Sequence, residues 1–228
     1  RNEGRSNYPK GVYLQPENTA GSKWLSAAKL ATINTTVQQI ESIDSFNSFY
    51  PMEVIATAKE TAAIIASATN KSYLVFPENR LYPIKMKSRL PYRWIQKGLQ
   101  HTFIDKAARG EQYSYQLGVY ALDGLQDVQV KFSDLIHNKQ GKISAGKSSC
   151  INTNGIDYAT HPFTKTVSIP KNTVQPLWCT VEIPSTVAAG IYKGKVTVTS
   201  TNAAATTIDI VLTITSEVLT DGGISEPW

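Results

Sequence analysis

The sequence predicts a mainly β protein, a two-layer antiparallel β-sandwich with one or two short helices in the N-terminal third. Three observations predict it. The chain has 228 residues, which is long enough to bury a large core. It is 41% hydrophobic and 18% charged, as folded proteins usually are. Its second half contains short β-branched or aromatic runs with alternating polarity, and Gly, Pro, Asn or Asp bounds each run.

One helix is predicted in the first third. Thr57 and Glu60 have the spacing of a capping box, in which each side chain binds the other residue's backbone amide. An apolar stripe follows, which predicts a helix from Ala58 to Thr69, with Asn70 as a left-handed cap beyond it. The segment from Trp24 to Ile40 is a weaker helix candidate, because it contains three Thr residues and one Asn.

From Tyr73 onward the apolar period changes to two, which predicts strands. The strand that begins at Tyr73 is expected to stop at Pro77, and the proline-bearing stretch 77–98 is predicted to be a loop. The predicted strands are 73–76, 112–121, 128–132, 164–169, 176–183, 192–200 and 206–215.

The stretch AAGIYKGKVTVTS, residues 188–200, is predicted to be the first arm of a hairpin that turns in TNAAA. Val196 and Val198 would face the core, and Gly190 and Gly194 would permit a turn or bulge near the strand start. The partner strand is expected to place Ile208, Ile210 and Leu212 on the same face. This pattern predicts core architecture and no activity.

Charge and hydropathy argue against two classes of partner. The formal net charge is +5, but the 23 Lys and Arg residues are dispersed rather than clustered, so nucleic-acid binding is not expected. No stretch approaches the roughly 18 to 20 apolar residues of a membrane-spanning helix.

Catalytic and metal-binding motifs are not found in the sequence. The three histidines lie in turn-like stretches, no Gly-x-Ser-x-Gly or phosphate-binding glycine motif occurs, and no pair of acids stands out. The stretch NTNGID, residues 152–157, lacks full calcium-loop spacing and is better explained as an Asn-Gly turn. No catalytic residue, metal or cofactor is therefore predicted. Cys150 and Cys179 are consistent with one disulfide or with two reduced core thiols.

Carbohydrate contact is the remaining chemistry that the residues suggest. Aromatic rings contact the apolar faces of sugars and polar side chains bind their hydroxyls, so Tyr92, Arg93 and Trp94 are candidate ligand-binding residues. The alternative is that Tyr92 and Trp94 fill a gap between elements while Arg93 makes a structural salt bridge. The candidate ligand-binding set is completed by Asn154, Asp157 and Tyr158.

Several stretches together resemble one family. They are FNSFYPMEVIAT (46–57), PENR (77–80), LPYRWI (90–95), ARGEQYSYQLGVYA (108–121), FSDL (132–135), CINTNGIDY (150–158), HPFTKTVSIP (161–170), VQPLWCTVEIP (174–184) and AAGIYKGKVTV (188–198). In this order they resemble the N-terminal β-sandwich domain of glycoside hydrolase family 123-like proteins of gut Bacteroidetes. The resemblance spans roughly residues 40 to 228.

The resemblance implies a domain that precedes a catalytic (β/α) barrel. In that family an Asp-Glu pair on the barrel works with the substrate's own acetamide, so no catalytic residue is carried over to this chain. We expect an N-terminal extension over 1–22, the sandwich over 23–216 with a helical insertion near 57–69, and a linker over 217–228 toward a C-terminal catalytic domain.

The expected function is that of an exported, periplasmic or cell-surface accessory domain that binds glycan or supports the barrel. The expected partners are a glycan or amino-sugar-containing oligosaccharide and the barrel of the same polypeptide. Two alternatives stay open, a purely structural interdomain module and a stand-alone glycosidase.

Overall fold

The computed structural model describes residues 39–44 and 52–221. They fall into two units that divide after Ile55. In the first unit, β1 (Ile40–Ser42) and β2 (Glu53–Ile55) form an antiparallel pair. The helix predicted from Trp24 lies outside the described residues except for its last two positions, and Ile40 is in a strand. The predicted extension 1–22 and most of the predicted linker also lie outside them.

The second unit contains two α-helices, a short 3-10 helix and twelve strands among its described residues. The α-helices are α1 (Ala58–Ser67) and α2 (Tyr92–Lys97), and the 3-10 helix is Ala145–Lys147. The strands are β3 (Tyr73–Asn79), β4 (Thr102–Arg109), β5 (Gln112–Ala121), β6 (Gln129–Phe132), β7 (Leu135–His137), β8 (Lys142–Ile143), β9 (Ser148–Cys150), β10 (Asn154–Ile156), β11 (Pro162–Thr164), β12 (Val174–Glu182), β13 (Gly190–Ser200) and β14 (Ala203–Val218). No helix in these residues has the length and apolar character that a membrane crossing requires.

The two main sheets confirm the predicted sandwich. A four-stranded sheet has the order β3-β5-β12-β9, and a six-stranded sheet has the order β4-β14-β13-β7-β8, with β6 also paired to β13. Side chains of both sheets form one buried core. Phe103 of β4 stacks on Tyr115 of β5 with 5.1 Å between ring centroids, and the Tyr73 hydroxyl of β3 donates to the Val198 carbonyl of β13. The prediction of an antiparallel sandwich needs one amendment, since β4 and β14 run parallel.

The hairpin of β13 and β14 has the predicted partners. Val196 lies opposite Ile208, and Gly194 and Tyr192 lie opposite Ile210 and Leu212. All of these apolar side chains are at most 2% exposed. Gly190 has a φ of +147°, a backbone conformation that favours glycine, and it begins the strand as expected.

A third layer covers the outer face of the four-stranded sheet. There a second apolar cluster joins residues of α1, α2 and the segment between β3 and α2 to Leu74, Phe76 and Tyr120 of the sheet. Strands β3 and β5 are therefore covered on both faces, which explains why their buried residues are continuous rather than alternating. Apart from α1, which the sequence predicted to be a helix, the additional layer is formed by the stretch that the sequence predicted to be a loop.

The loop prediction for 77–98 is thus wrong at both ends. Strand β3 continues through Pro77 to Asn79, and α2 occupies Tyr92–Lys97. Proline is tolerated because β3 is an edge strand of its sheet, where half of the N–H groups point away from any partner. The helix is only six residues long and has no side-chain cap, so the local pattern gives little signal of it.

The predicted capping box of α1 is confirmed. Glu60 accepts a hydrogen bond from the Thr57 amide at 2.8 Å, and the Glu60 amide donates to the Thr57 hydroxyl at 3.2 Å. The cap predicted at Asn70 is wrong, because the helix ends at Ala68 in an extended conformation. Asn70 instead accepts a hydrogen bond from the Ser72 amide, an Asx-type turn that leads into β3.

The strand predicted at 164–169 is also wrong. The strand in this region is β11, Pro162–Thr164, which pairs with β10. Beyond it the chain is irregular, and Ile169 forms an isolated bridge with Leu125. The apolar alternation arises because Val167 packs against the core and Ile169 is only 1% exposed, although neither lies in a continuous strand.

Candidate functional site

The predicted residues Tyr92, Arg93 and Trp94 all lie in α2, which packs on the outer face of the four-stranded sheet. The Trp94 side chain is only 1% exposed. Its indole stacks on Phe76 of β3, with ring centroids 4.4 Å apart and an interplanar angle of 9°. Protein therefore covers the ring face of Trp94 on which a sugar would stack. Trp94 fills a gap between elements, which is the alternative that the sequence left open. Tyr92 is half-buried in the same helix.

A buried carboxylate organises this region. The Glu78 side chain at the end of β3 is fully inaccessible. It accepts hydrogen bonds from the Trp94 Nε1 at 2.8 Å, the Arg93 Nε at 2.8 Å and the Lys97 Nζ at 3.2 Å. Arg93 thus makes the structural salt bridge that the sequence allowed as its alternative role. Three donors compensate for removing the carboxylate from water, and they fix α2 to β3.

Burial also changes the acidity of Arg93. It lowers the pKa of the guanidinium to about 10. The group therefore stays positively charged at neutral pH and remains a partner for the Glu78 carboxylate.

One exposed aromatic ring lies over this network. Tyr82 is 52% exposed, and its ring centroid lies 5.5 Å from the Arg93 Cζ and 5.8 Å from the Lys97 Nζ. These are cation-π distances. Leu81 beside it is 75% exposed. Tyr82 is the accessible aromatic of this region, whereas the sequence interpretation had chosen the buried Trp94.

The second predicted set lies in and beside the small β10-β11 hairpin. Asn154 is in β10, and Asp157 begins the connecting turn, where its Oδ1 accepts hydrogen bonds from the amides of Ala159 (2.9 Å) and His161 (2.8 Å). Tyr158 is fully exposed. The Asp157 carboxylate therefore shapes the turn, and the Tyr158 ring is free of packing contacts with the core.

The two sets do not converge. The first set packs against β3, and the hairpin of the second set follows β9. These strands are the opposite edges of the four-stranded sheet. Three inter-strand spacings amount to about 14 Å, so one monosaccharide would not contact both sets.

Other polar groups near β3 are engaged with one another. The Arg80 guanidinium binds the Glu111 carboxylate at 2.5 Å, and the Tyr113 hydroxyl donates to Asp105 at 2.5 Å. Burial raises the pKa of Tyr113, so its phenol stays protonated at neutral pH. Within residues 39–44 and 52–221, no cluster of three His, Cys, Asp or Glu side chains is arranged to hold a metal ion.

Sequence reasoning missed Glu78 and Tyr82. The acid near the end of YLVFPEN gives little local sign of burial, since its cationic partners are 15 and 19 residues further along and reach it through the packing of α2. The only available signal was the acid placed directly after a run of apolar strand residues.

The architecture defines a β-sandwich domain with a helical layer on one sheet. Residues 146–200 match the family model described as the glycoside hydrolase 123 N-terminal domain. This segment covers about a quarter of the chain and includes β9 to β13. No curated protein matches the chain.

Three solved structures illustrate what the fold is similar to. A family 123 glycoside hydrolase from Clostridium perfringens, solved to study glycolipid glycan hydrolysis, is 20% identical, with a TM-score of 0.46 over 56% of this chain and 25% of that chain. The periplasmic chaperone SfaE is 10% identical, with a TM-score of 0.31 over 52% and 57%. Self-complemented MyfA from Yersinia enterocolitica is 9% identical, with a TM-score of 0.32 over 61% and 97%. The chain thus spans a quarter of the length of the Clostridium perfringens enzyme.

Proposed function

We propose that this chain is a non-catalytic accessory domain of an exported, glycan-degrading glycoside hydrolase, and that it supports a catalytic barrel of the same polypeptide. The observation that carries the proposal is the match of residues 146–200 to the glycoside hydrolase 123 N-terminal domain. The matched segment contributes β12 to one sheet and β13 to the other, so it contains parts of both layers of the sandwich.

The state of the buried acids supports a structural role. In the described part of the chain the buried carboxylates are Glu78 and Glu111. Glu78 is held by Arg93, Lys97 and Trp94, and Glu111 by Arg80 and the Ala108 amide. A general acid or base must reach its substrate within hydrogen-bond distance, and these groups use their oxygens within the protein.

The outer face of the six-stranded sheet offers a surface for the barrel. Ile104 of β4, Val211 of β14, Lys193 of β13 and Ile136 of β7 lie side by side in one row across four strands. Ile104 is 71% exposed and Ile136 is 51% exposed. Ile104 lies beside the half-buried Val211, and Lys193 separates this pair from Ile136. Exposed apolar side chains on a sheet face are typical of a contact surface, and we assign this row to the contact with the catalytic domain.

The experiment uses the polypeptide encoded by the complete gene. Ile104→Glu is expected to separate the sandwich from the catalytic domain, so that one calorimetric transition becomes two or the catalytic domain unfolds at a lower temperature. Ile156→Glu is the matched control, since Ile156 is 65% exposed on the β10-β11 hairpin, away from the row. If the two substitutions have equal effects, the outer face of the six-stranded sheet is not the contact with the catalytic domain.

Carbohydrate binding is a second candidate function, and the observation that favours it is the exposed Tyr158 ring next to Asp157. A free aromatic face beside a carboxylate offers both kinds of contact that sugars use. We propose that the glycan contact uses Tyr158, with Asn154 and Asp157 nearby. Tyr92, Arg93 and Trp94 belong to a separate candidate surface, where they hold α2 in place beneath the exposed Tyr82.

Calorimetric titration of the chain with amino-sugar-containing oligosaccharides tests this second candidate. Tyr158→Ala should lower the affinity at least about tenfold if the ring stacks on the sugar, while the melting temperature stays unchanged. Tyr82→Ala tests the α2 region in the same way. Absence of binding heat in the wild-type chain would exclude the sugar-binding function and leave the supporting function intact.

The stand-alone glycosidase is tested on the same sample. The chain is incubated with chromogenic N-acetylhexosaminides, and the release of the chromophore is followed. The accessory-domain proposal predicts no release above the blank, whereas turnover by the purified chain would overturn it.

A further inference from the structure

The two cysteines of the chain face each other across adjacent strands. Cys150 ends β9 and Cys179 lies in β12, and the antiparallel register places them directly opposite. Both are free cysteines, and both are 0% exposed in the core between the sheets. Directly opposite residues project to the same face of a sheet, so the two sulfur atoms share one environment.

Their place in the ladder suits a covalent link. The Ile151 amide donates to the Trp178 carbonyl at 3.1 Å, which makes the next pair along the strands a hydrogen-bonded one. Cys150 and Cys179 therefore occupy a non-hydrogen-bonded pair, where Cα atoms are about 4.5 Å apart and side chains are closest. Disulfides span Cα separations of about 4.4 to 6.8 Å, so the backbone need not move far to accept one.

We propose that Cys150 and Cys179 form an intramolecular disulfide that ties β9 to the centre of the four-stranded sheet. β9 has only three residues and lies at the sheet edge. A short edge strand opens more readily than a central one, so the link would act where the sheet is weakest. This inference does not depend on the proposed function.

The oxidation is a thiol-disulfide exchange with a small disulfide or a thiol oxidoreductase as the oxidant. The thiolate of Cys150 attacks one oxidant sulfur, forms a mixed disulfide and releases the other sulfur as a thiolate. The Cys179 sulfur then attacks the Cys150 sulfur and releases the second oxidant thiolate. The two protein thiols lose two electrons and two protons, and the oxidant is reduced to two thiols.

The local environment assigns the attacking role to Cys150. Its pKa is lowered to about 7, chiefly through the neighbouring Cys179 thiol, with smaller effects of the polar groups of Asn152 and Thr153. Burial raises the pKa of Cys179. Transient opening of β9 gives the oxidant access to Cys150, whereas β12 lies between β5 and β9 and stays covered.

The link closes a loop of about 30 residues, and the loop-entropy relation then predicts a melting temperature about 7 to 14 °C above that of the reduced chain. The segment inside the loop includes the β10-β11 hairpin and Tyr158. The disulfide is therefore also expected to slow proteolysis of this segment.

The test uses the full chain purified under reducing conditions. One sample is treated folded with oxidised glutathione, and a second is refolded from denaturant in a glutathione redox buffer, so that burial does not block the reaction. Free thiols are then alkylated and the chain is digested with trypsin without reduction. The expected product joins peptide 148–165 to peptide 172–193, with no alkylated cysteine and no dimer.

The controls are Cys150→Ala, Cys179→Ala and the double variant. None of them should change its melting temperature when a reductant is added, whereas the oxidised wild-type chain should lose the 7 to 14 °C estimated above. Two alkylated cysteines in the refolded, native wild-type chain would overturn the proposal. A disulfide that joins two chains, or one that leaves the melting temperature unchanged on reduction, would overturn it as well.

Discussion

Substituting Gly118 with alanine is the sharpest test of how the helical layer packs on the sheet. Gly118 lies in β5 opposite Phe76 and directly beneath the Trp94 indole. A Cβ atom at this position would lie 2.3 Å from the Trp94 Cη2, 2.8 Å from its Cζ2 and 3.1 Å from the Ile84 Cδ1. The indole is held by the stack on Phe76 and the hydrogen bond to Glu78, so it has little freedom to move away.

The expected cost follows from this geometry. Overpacking a well-packed core costs about 1 to 3 kcal/mol, and contacts this far inside van der Waals distance belong at the upper end. Alanine restricts the unfolded chain more than glycine does, and this effect offsets about 0.4 to 1 kcal/mol of the loss in stability. We therefore expect Gly118→Ala to lower the free energy of unfolding by about 2 kcal/mol.

The assay is urea denaturation followed by far-ultraviolet circular dichroism, which does not depend on the fluorescence of Trp94. Gly146→Ala is the matched control, since a Cβ there would be 3.8 Å from its nearest neighbour, and it should raise the free energy of unfolding by about 0.4 to 1 kcal/mol instead of lowering it. In a Trp94→Phe background the clashing indole atoms are gone, so Gly118→Ala should cost about 1 kcal/mol or less. An equal cost in both backgrounds would refute the packing of the indole over Gly118.

Three further substitutions test other parts of the account. Glu78→Gln removes the inaccessible charge that Arg93 and Lys97 bind, and should lower the unfolding free energy by about 2 to 4 kcal/mol in urea denaturation, whereas Glu182→Gln at the exposed Lys147 pair should change it by less than about 0.5 kcal/mol. Thr57→Ala should cost about 1 kcal/mol through loss of the helix cap, and unchanged stability would contradict the capping box. Hydrogen bonds from the backbone and hydroxyl of Thr57 lower the pKa of Glu60, so its contribution is present above pH 4.5 and is lost as the pH falls through the lower folded-state value. Glu60→Gln should therefore show a smaller loss of melting temperature on acidification than the wild-type chain.

The sequence predicted those elements whose signal is local. The capping box of α1, the run Gln112–Ala121 and the β13-β14 hairpin have their determinants within a few residues of one another, and the structure confirms them. Their alternation or cap chemistry needs no knowledge of distant partners.

The elements that the sequence missed depend on distant partners. β4 pairs in parallel with β14, more than one hundred residues away, and in its sequence TFIDKAAR the charged Asp105 lies on the inner side, where it binds Tyr113, while the apolar Ile104 is exposed. The segment from Pro77 to Gly98 contains prolines that indicate a loop, but the apolar outer face of β3 and β5 needs a cover, and this segment supplies it together with α1. Tertiary packing here overrides local propensity.

The candidate site likewise has features that local sequence determines and features that depend on distant residues. The sequence identified the chemistry of LPYRWI but not which of its side chains is accessible, because accessibility depends on Phe76 and Glu78 of another element. Tyr158 is exposed because a hairpin turn carries few neighbours, and a turn is a local prediction. Glycan binding by Tyr158 stays a prediction.

The accessory-domain proposal is tested most directly by the gene itself. We predict that the reading frame continues past the codon for Trp228 into a (β/α) barrel domain, and that the whole polypeptide hydrolyses amino-sugar glycosides while residues 1–228 alone do not. A stop codon shortly after Trp228, in a gene whose product is active or functional without any barrel, would contradict the account.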